Sequence, residues 1–311
     1  MKNNQKSVYE NCNNMIKKIT RKEFLQTGAG LAALSIFPGA LAQATPQYRV
    51  LGRTGLQVTT LGFGATRTND PSFIRTALDS GINFLDTGRI YANGQNEVVI
   101  GNVIKEFRKK IIIQTKVTLE LRENGEQLKT RPVAKKIQAM LETSLQESLE
   151  ALQTDYLDVL LLHNLTSLPL LQHETVRSFF TEAKKSGKIR ACGFSSHENQ
   201  AELLRTNNSD HFYDVVMVAY NHRGSYTHTQ TGRFSEWDQQ ALETELQTAA
   251  QNNIGIVAMK TCSGGPLSLS PDKTPSWFDA IQWVLQHSYI ASAAVAMANM
   301  DELKENSRIL F

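Results

Sequence analysis

The sequence predicts an α/β protein: a closed (β/α)8 TIM barrel with an N-terminal β-hairpin, preceded by a signal peptide. Three observations lead there. From residue 47 onward, eight short apolar runs alternate with eight longer amphipathic ones. The apolar runs, such as "DYLDVLLLH" and "NIGIVAMK", are nearly continuous, as parallel strands covered on both faces require. Eight strand–helix units in roughly 260 residues also match the size of such a barrel. A doubly wound open sheet is the runner-up, but "GFGATRTND" after the first strand is not G-x-G-x-x-G, so the barrel is preferred.

The domain, residues 45–311, opens with "YRVLGRTGLQVTTLGFG", two short β-like runs around a glycine turn, read as a hairpin that plugs the barrel floor. Strands are expected at 60–64, 83–86, 111–116, 156–163, 191–195, 215–220, 255–260 and 293–296. Helices are expected at 71–80, 96–107, 131–152, 174–186, 198–206, 238–252, 275–287 and 301–308. The third helix has the clearest pattern, with Val133, Ile137, Met140, Leu141, Leu145 and Leu149 at helical spacing. Gly81, Gly187 and Gly255 each stand between a helix and the next strand, where a helix C-terminus favours glycine. The segment "NHRGSYTHTQTGRFSEWDQQ", holding Tyr226, Phe234 and Trp237, is long for a barrel loop and reads as a lid over the active face.

Residues 1–44 differ from the rest. They hold Lys2, Lys6, Lys17, Lys18, Arg21 and Lys22 against Glu10 and Glu23. Of 33 basic and 30 acidic residues, 27 and 28 therefore remain in the body, which is close to neutral and gives no basic patch for nucleic acid or an anionic surface. A basic segment, an uncharged run from Gln26 to Ala44 and the small-x-small end Ala42-Gln43-Ala44 follow the order of a secretory signal peptide. "TRKEFLQ" resembles a twin-arginine export motif with Lys22 in the second arginine position. The expectation is export to the periplasm through the twin-arginine or general export machinery, with no stable membrane anchor. An ordinary secretory leader and an uncleaved anchor are the alternatives. Cys12 lies in the leader, and Cys192 and Cys262 read as buried thiols. No Cys/His spacing suggests a metal.

Reactive groups of a barrel collect where its strands end. Asp86 ends the second strand, Lys116 the third and His163 the fourth, and Tyr91 lies in the loop after Asp86. A buried lysine needs an anion, and Asp86 is placed to supply it. Here the chain resembles the aldo-keto reductases over almost all of residues 48–306. "DTGRIYANGQNEVVIGNVI" is similar to the family's Asp-Thr-x-x-x-Tyr signature, and "IIIQTKV", "SLQESLEALQTDYLDVLLLHN", "AKKSGKIRACGFSSH" and a final "EN" follow in family order. The resemblance implies a catalytic tetrad of Asp86, Tyr91, Lys116 and His163. It implies NAD(P)H-dependent reduction of a small aldehyde or ketone by hydride transfer. Tyrosine near its usual pKa of about 10 is a weak acid at neutral pH, so Lys116 is expected to lower it, Asp86 to hold Lys116, and His163 to align the carbonyl.

The resemblance also places the cofactor, NADP(H) or NAD(H). Ser195 and Ser196 follow the fifth strand, where relatives hold the nicotinamide carboxamide. Met217 stands where relatives often carry a glutamine, and Met259, followed by Lys260, where they carry a stacking tyrosine. Asn299, Glu305 and Asn306 are left to meet the adenosine. "AMANMDELKEN" offers Asp301 and Glu302 near the adenosine phosphate and no arginine, so preference for NADPH should be weak. A non-catalytic ligand-binding barrel of the same family is the rival reading. A metal-dependent hydrolase using Asp86, His163, His197 and His222 ranks last, because "LGFGA" lacks the His-x-His such a site wants.

Overall fold

The computed structural model describes residues 45–121, 125–228 and 232–311; the predicted leader lies outside them. An antiparallel hairpin comes first, β1 (Tyr48–Val50) with β2 (Gln57–Thr59). Then come β3 (Leu61–Gly64), β4 (Phe84–Asp86), β5 (Ile112–Val117), β6 (Leu157–Leu162), β7 (Ile189–Ser196) and β8 (Val215–Ala219). After β8 a second small hairpin, β9 (Ser225–Thr227) with β10 (Phe234–Glu236), stands apart from the barrel sheet. The last two strands are β11 (Gly255–Met259) and β12 (Ser292–Ala296). β3–β8, β11 and β12 close a parallel barrel, with β12 paired to β3.

The helices are α1 (Pro71–Asp79), α2 (Gln95–Ile104), α3 (Arg131–Ala151), α4 (Leu168–Leu171), α5 (Glu174–Lys185), α6 (Gln200–Asp210), α7 (Gln239–Gln251), α8 (Trp277–Leu285) and α9 (Met300–Ser307). Their starts obey local chemistry. Asp70 accepts from the amides of Ser72 and Phe73 ahead of Pro71, and Asp238, Ser276 and Asn299 cap α7, α8 and α9 in the same manner. Among the described residues no helix is long and apolar enough to cross a membrane.

The expected strands all form, within two residues of their expected ends. Two expectations need correction. The helix expected at 198–206, α6, does not stop at 206 but runs to Asp210, because Asn207 is buried and its side chain accepts from the Tyr213 amide and donates to the Tyr213 carbonyl. A polar "TNNSD" run reads as loop in sequence; here one asparagine ties the helix to the start of β8. Gly255 is not a helix end. The left-handed residue after α7 is Asn253, φ +56°, and Gly255 begins β11, where a Cβ would sit 2.7 Å from Leu51 Cγ. Glycine is needed there so that the floor hairpin can seat Leu51.

Side-chain parity divides the packing into two cores. Outward residues such as Ile113, Leu160, Phe194 and Val216 pack under the helices. Inward residues Phe84, Val159, Leu161, Ala191, Val215, Met217, Val257 and Met259 fill the barrel, together with Leu51, Leu56 and Val58 of the hairpin. The hairpin does plug the floor, and Arg49 fastens it by donating to the carbonyls of Leu285, His287 and Ile290. Above this filled interior, the same inward parity delivers Asp86, Lys116, His163 and Ser195 to the opposite mouth.

Candidate active site

Lys116 is 1% exposed, and its ammonium bonds in three directions: to Asp86 Oδ1 at 2.7 Å, to the Thr87 carbonyl at 2.6 Å and to the Tyr91 hydroxyl at 3.2 Å. All three protons are used, as an ammonium in a dry interior requires. Burial alone would pull the Lys116 pKa down. Asp86 and Tyr91 outweigh that and leave it above the ordinary lysine value, so Lys116 is charged. Gln114, two residues earlier on the same inward face, donates to Asp86 Oδ1 at 2.7 Å and lies 3.4 Å from Met217 Sδ.

Tyr91 begins a turn that follows the Asp86–Thr87 strand end. Burial pushes its pKa above the usual tyrosine value, and Asp86 adds to this, while Lys116 opposes it. The expectation that Lys116 lowers this pKa holds for the lysine's own effect; the net direction is the reverse, because the phenol is desolvated. His163 follows β6, its ring 5.8 Å from that of Tyr91 in an edge-on arrangement. Burial, then the charge of Lys116, then His197 depress its pKa to about 3, so the imidazole is neutral. Its Nδ1 shares a hydrogen bond of 3.1 Å with Thr118 Oγ1. With Thr118 as donor, the proton sits on Nε2. The four residues named from sequence therefore form one cluster.

A second layer holds the loop between Asp86 and α2. Arg89 pairs with the fully buried Glu97, which also accepts from Thr115 Oγ1 at 2.6 Å. The Arg89 amide donates to the Lys116 carbonyl. Thr87 Oγ1 donates to Asn96 Oδ1, and Asn96 Nδ2 in turn reaches the carbonyls of Ala65 and Thr68. Ala92, Asn93 and Gly94 are left-handed in succession, φ +48°, +54° and +85°. A Cβ on Gly94 would lie 1.7 Å from the Arg89 guanidinium, so glycine makes room for the Arg89–Glu97 pair. Gln114, Thr118 and Arg89 were not singled out from sequence. The alternation Gln114-x-Lys116-x-Thr118 was the available signal.

The residues expected at the cofactor divide into groups. Ser195 is buried; its hydroxyl donates to the Leu162 carbonyl and accepts from the Asn164 amide, tying β7 to the His163 loop. Ser196 has the opposite parity, and its hydroxyl bonds the backbone of Glu198, so the two serines do not act as a pair. Met217 is 2% exposed inside the barrel, its sulfur beside Gln114 Nε2, and Met259 ends β11 nearer the mouth. Lys260 is left-handed, φ +57°, and its ammonium lies 5.2 Å from the centre of the Tyr226 ring. That ring in turn meets His197 at 5.6 Å. The expected lid segment thus carries Tyr226 into the mouth, while Phe234 is exposed; residues 229–231 lie outside the described ones. His197, a second histidine at the mouth, is also held to a pKa of about 3 by burial and the charge of Lys260.

Asn299 caps α9, and Glu305 and Asn306 lie within it. The segment itself holds no arginine, as expected, but one reaches it from elsewhere in the chain: Arg67, from the turn after β3, pairs with Glu302 at 3.0 Å. The same carboxylate accepts from the Ala298 amide at 2.9 Å and from Asn299 Nδ2 at 3.1 Å. The two thiols are free, but only Cys192 is buried; Cys262 is partly exposed, against the expectation.

A model of the aldo/keto reductase family matches residues 60–279, a span that includes all four clustered residues. Aldo-keto reductase YhdN of Bacillus subtilis (strain 168) is 31% identical over 163 residues, covering 48% of this chain and 47% of the relative. The uncharacterized oxidoreductase YqkF of the same organism is 33% identical over 153 residues, covering 48% of each. The chain thus spans about half the length of the curated relatives it matches. Among solved structures, the holo form of aldo-keto reductase AKR11C1 from Bacillus halodurans superposes with a TM-score of 0.65 at 25% identity, covering 85% of this chain and 90% of that one. An aldo/keto reductase from Klebsiella pneumoniae, in complex with NADP and acetate, has the same fold, with a TM-score of 0.61 at 21% identity, covering 86% and 90%. A matched family model over most of the barrel, joined to the Asp86–Lys116–Tyr91–His163 cluster, places this chain in the aldo/keto reductase family.

Proposed function

We propose that this protein reduces the carbonyl of an aldehyde or ketone to an alcohol, with hydride from NADPH or NADH and a proton from Tyr91. One observation carries the reading: a single buried ammonium bonded at once to Asp86 and to the Tyr91 hydroxyl, beside a neutral histidine. When bound, the reduced nicotinamide supplies the hydride. Asn306 Oδ1 and both amide atoms of Gln200, buried on helices that follow β12 and β7, have no partner among the described residues. Each costs about 1–3 kcal/mol unless something bonds it, so they fit a polar ligand. The relative bound to NADP supports the same choice.

As hydride reaches the carbonyl carbon, an electron pair moves to the oxygen. The Tyr91 O–H donates its proton there, and the phenolate left behind faces the Lys116 charge. Asp86 keeps Lys116 protonated through that moment. His163, neutral with its proton on Nε2, donates a hydrogen bond that orients the carbonyl and offsets its developing charge. Protonated His163 would add a second cation against Lys116, which its depressed pKa resists.

The Tyr91→Phe variant removes the proton and little else. It is expected to lose at least about 100-fold in kcat with cofactor affinity unchanged, by stopped-flow turnover and fluorescence titration; wild-type turnover would sink the assignment. The pH profile of kcat/KM tests the histidine. The active form needs neutral His163, and its pKa of about 3 puts that ionisation below the working range. The profile should stay flat through pH 6.5 and fall only at high pH, as Tyr91 loses its proton. An acid limb near pH 6.5 would show that His163 titrates normally.

Cofactor choice rests on Glu302. Its carboxylate sits on the Ala298 amide and the Arg67 guanidinium, two donors that an adenosine phosphate would want. A preference for NADPH over NADH below about tenfold, or ~1.4 kcal/mol, is expected. Glu302→Gln should raise NADPH affinity relative to NADH, and Arg67→Ala should lower it. Dissociation constants for both cofactors on the same preparations decide this; a hundredfold preference in the wild type would contradict it.

We also propose that residues 1–44 direct export to the periplasm and are removed near Thr45. The charge order and the Ala42-Gln43-Ala44 ending support this. Replacing Arg21 and Lys22 together should retain the precursor in the cytoplasm, and Edman sequencing of the exported protein should start near Thr45. An intact Met1 on exported protein would refute the cleavage.

A further inference from the structure

Beside Lys116 on the inward face of β5 stands a second polar side chain, Gln114, fully buried and without a part in the chemistry proposed above. Its backbone lies opposite Asp86 in the β4–β5 register. Its Nε2 donates at 2.7 Å to Asp86 Oδ1, the same oxygen that accepts from Lys116 at 2.7 Å. Nε2 also lies 3.4 Å from Met217 Sδ on β8, a weak acceptor. Oε1 has no partner among the described residues. Turning the amide over would set Oε1 against Asp86 Oδ1, two acceptors in contact, so the acid fixes its orientation. An amide with one atom orphaned in a dry interior is a costly way to fill space. A methionine of similar length would pack there without the orphan. What the glutamine alone supplies is a fixed N–H on Asp86.

We infer that Gln114 is a positioning residue for the proton transfer: its N–H holds the Asp86 carboxylate in place and offsets part of its charge, and so sets the field in which Tyr91 gives up its proton. That role rests on the carbonyl reduction proposed above. Gln114 acts through Asp86 and touches neither substrate nor cofactor. Burial holds Tyr91 above the ordinary tyrosine value; of the two charges nearby, Lys116 lowers it and Asp86 raises it. The amide weakens the second of these, because its positive end faces the carboxylate while it brings no net charge to repel Lys116. The other titratable groups that feel Lys116 are His163, His197 and Glu97, and Gln114 bonds none of them. Without the amide, Asp86 acts on Tyr91 undiminished. The phenol then holds its proton more tightly, donates it less readily and ionises at higher pH.

The test is the pH dependence of kcat for Gln114→Met and Gln114→Glu, with NADPH and propanal, benzaldehyde or glyceraldehyde, and with KM and NADPH affinity measured alongside. Gln114→Met should lower kcat about tenfold, leave KM and NADPH affinity unchanged, and move the alkaline limb up by roughly one pH unit. In Gln114→Glu the new carboxyl donates to Asp86 while it is protonated, as the amide does, since two carboxyls this close share one proton. Once ionised it adds a negative charge beside Tyr91, so activity should fall along a new limb below that of Tyr91. An unmoved alkaline limb in Gln114→Met overturns the role even if kcat drops, because loss of rate alone marks a packing defect. Should Gln114→Met fail to fold, Gln114→Glu decides, and a wild-type profile there overturns the role. If the wild type binds NADPH but reduces no aldehyde, the reductase reading falls instead. Titration of phenolate absorbance, with Tyr91→Phe as the blank, still shows whether Gln114→Met raises the pH at which Tyr91 ionises.

Discussion

A lysine ammonium held almost entirely out of water sets the terms for this structure. Leaving it unpaired would cost several kcal/mol, so everything near it is arranged to receive its three protons. Asp86 takes one as an ion, the Thr87 carbonyl takes one as a dipole, and the Tyr91 hydroxyl takes the last. That third bond joins a requirement of folding to a requirement of chemistry. The same ammonium that must be satisfied for the barrel to close is, in the proposed reduction, the charge that would face the phenolate when Tyr91 gives up its proton. Burial works against Tyr91 as an acid and for it as a selective donor. The desolvated phenol keeps its proton in the resting protein, so in the proposed reduction the lysine's help would matter in the reaction and not before it.

Holding Tyr91 at that distance requires an unusual loop. Two non-glycine residues, Ala92 and Asn93, are left-handed directly after the tyrosine, at a cost of order 1–3 kcal/mol each. The cost is offset by the Arg89–Glu97 pair and by Asn96, whose amide reaches back to the turn after β3. Glu97 is itself bound to Thr115, the outward neighbour of Lys116. The two faces of β5 therefore act together: Gln114 and Lys116 position the acid and the tyrosine inside, while Thr115 anchors the loop outside.

The closed floor makes the mouth the working end. Leu51, Leu56 and Val58 fill the interior from below and leave the inward layer at Asp86, Lys116 and His163 as the place where polar groups can meet a ligand. Lys260, Tyr226 and His197 form one side of that layer.

The sequence by itself determined the barrel and the meeting of four residues at its rim, because both are written in period-two alternation and in strand-end positions. Inward parity alone carries Asp86, Lys116 and His163 to one rim, and the Asp-Thr-x-x-x-Tyr spacing adds Tyr91. Only the tertiary structure decided contacts between elements distant in the chain. Arg67 reaches Glu302 across 235 positions, so a segment that reads as acidic is a carboxylate already bound. Ser195 and Ser196 are adjacent in sequence, yet the pleat turns them to opposite faces and gives their hydroxyls separate backbone partners. Gly255 reads as a helix end; it is the space that Leu51 occupies, a steric demand made by a residue some 200 positions earlier. The direction of the Tyr91 pKa had the same origin. A neighbouring lysine is legible in a motif, whereas desolvation depends on every residue that packs over the ring.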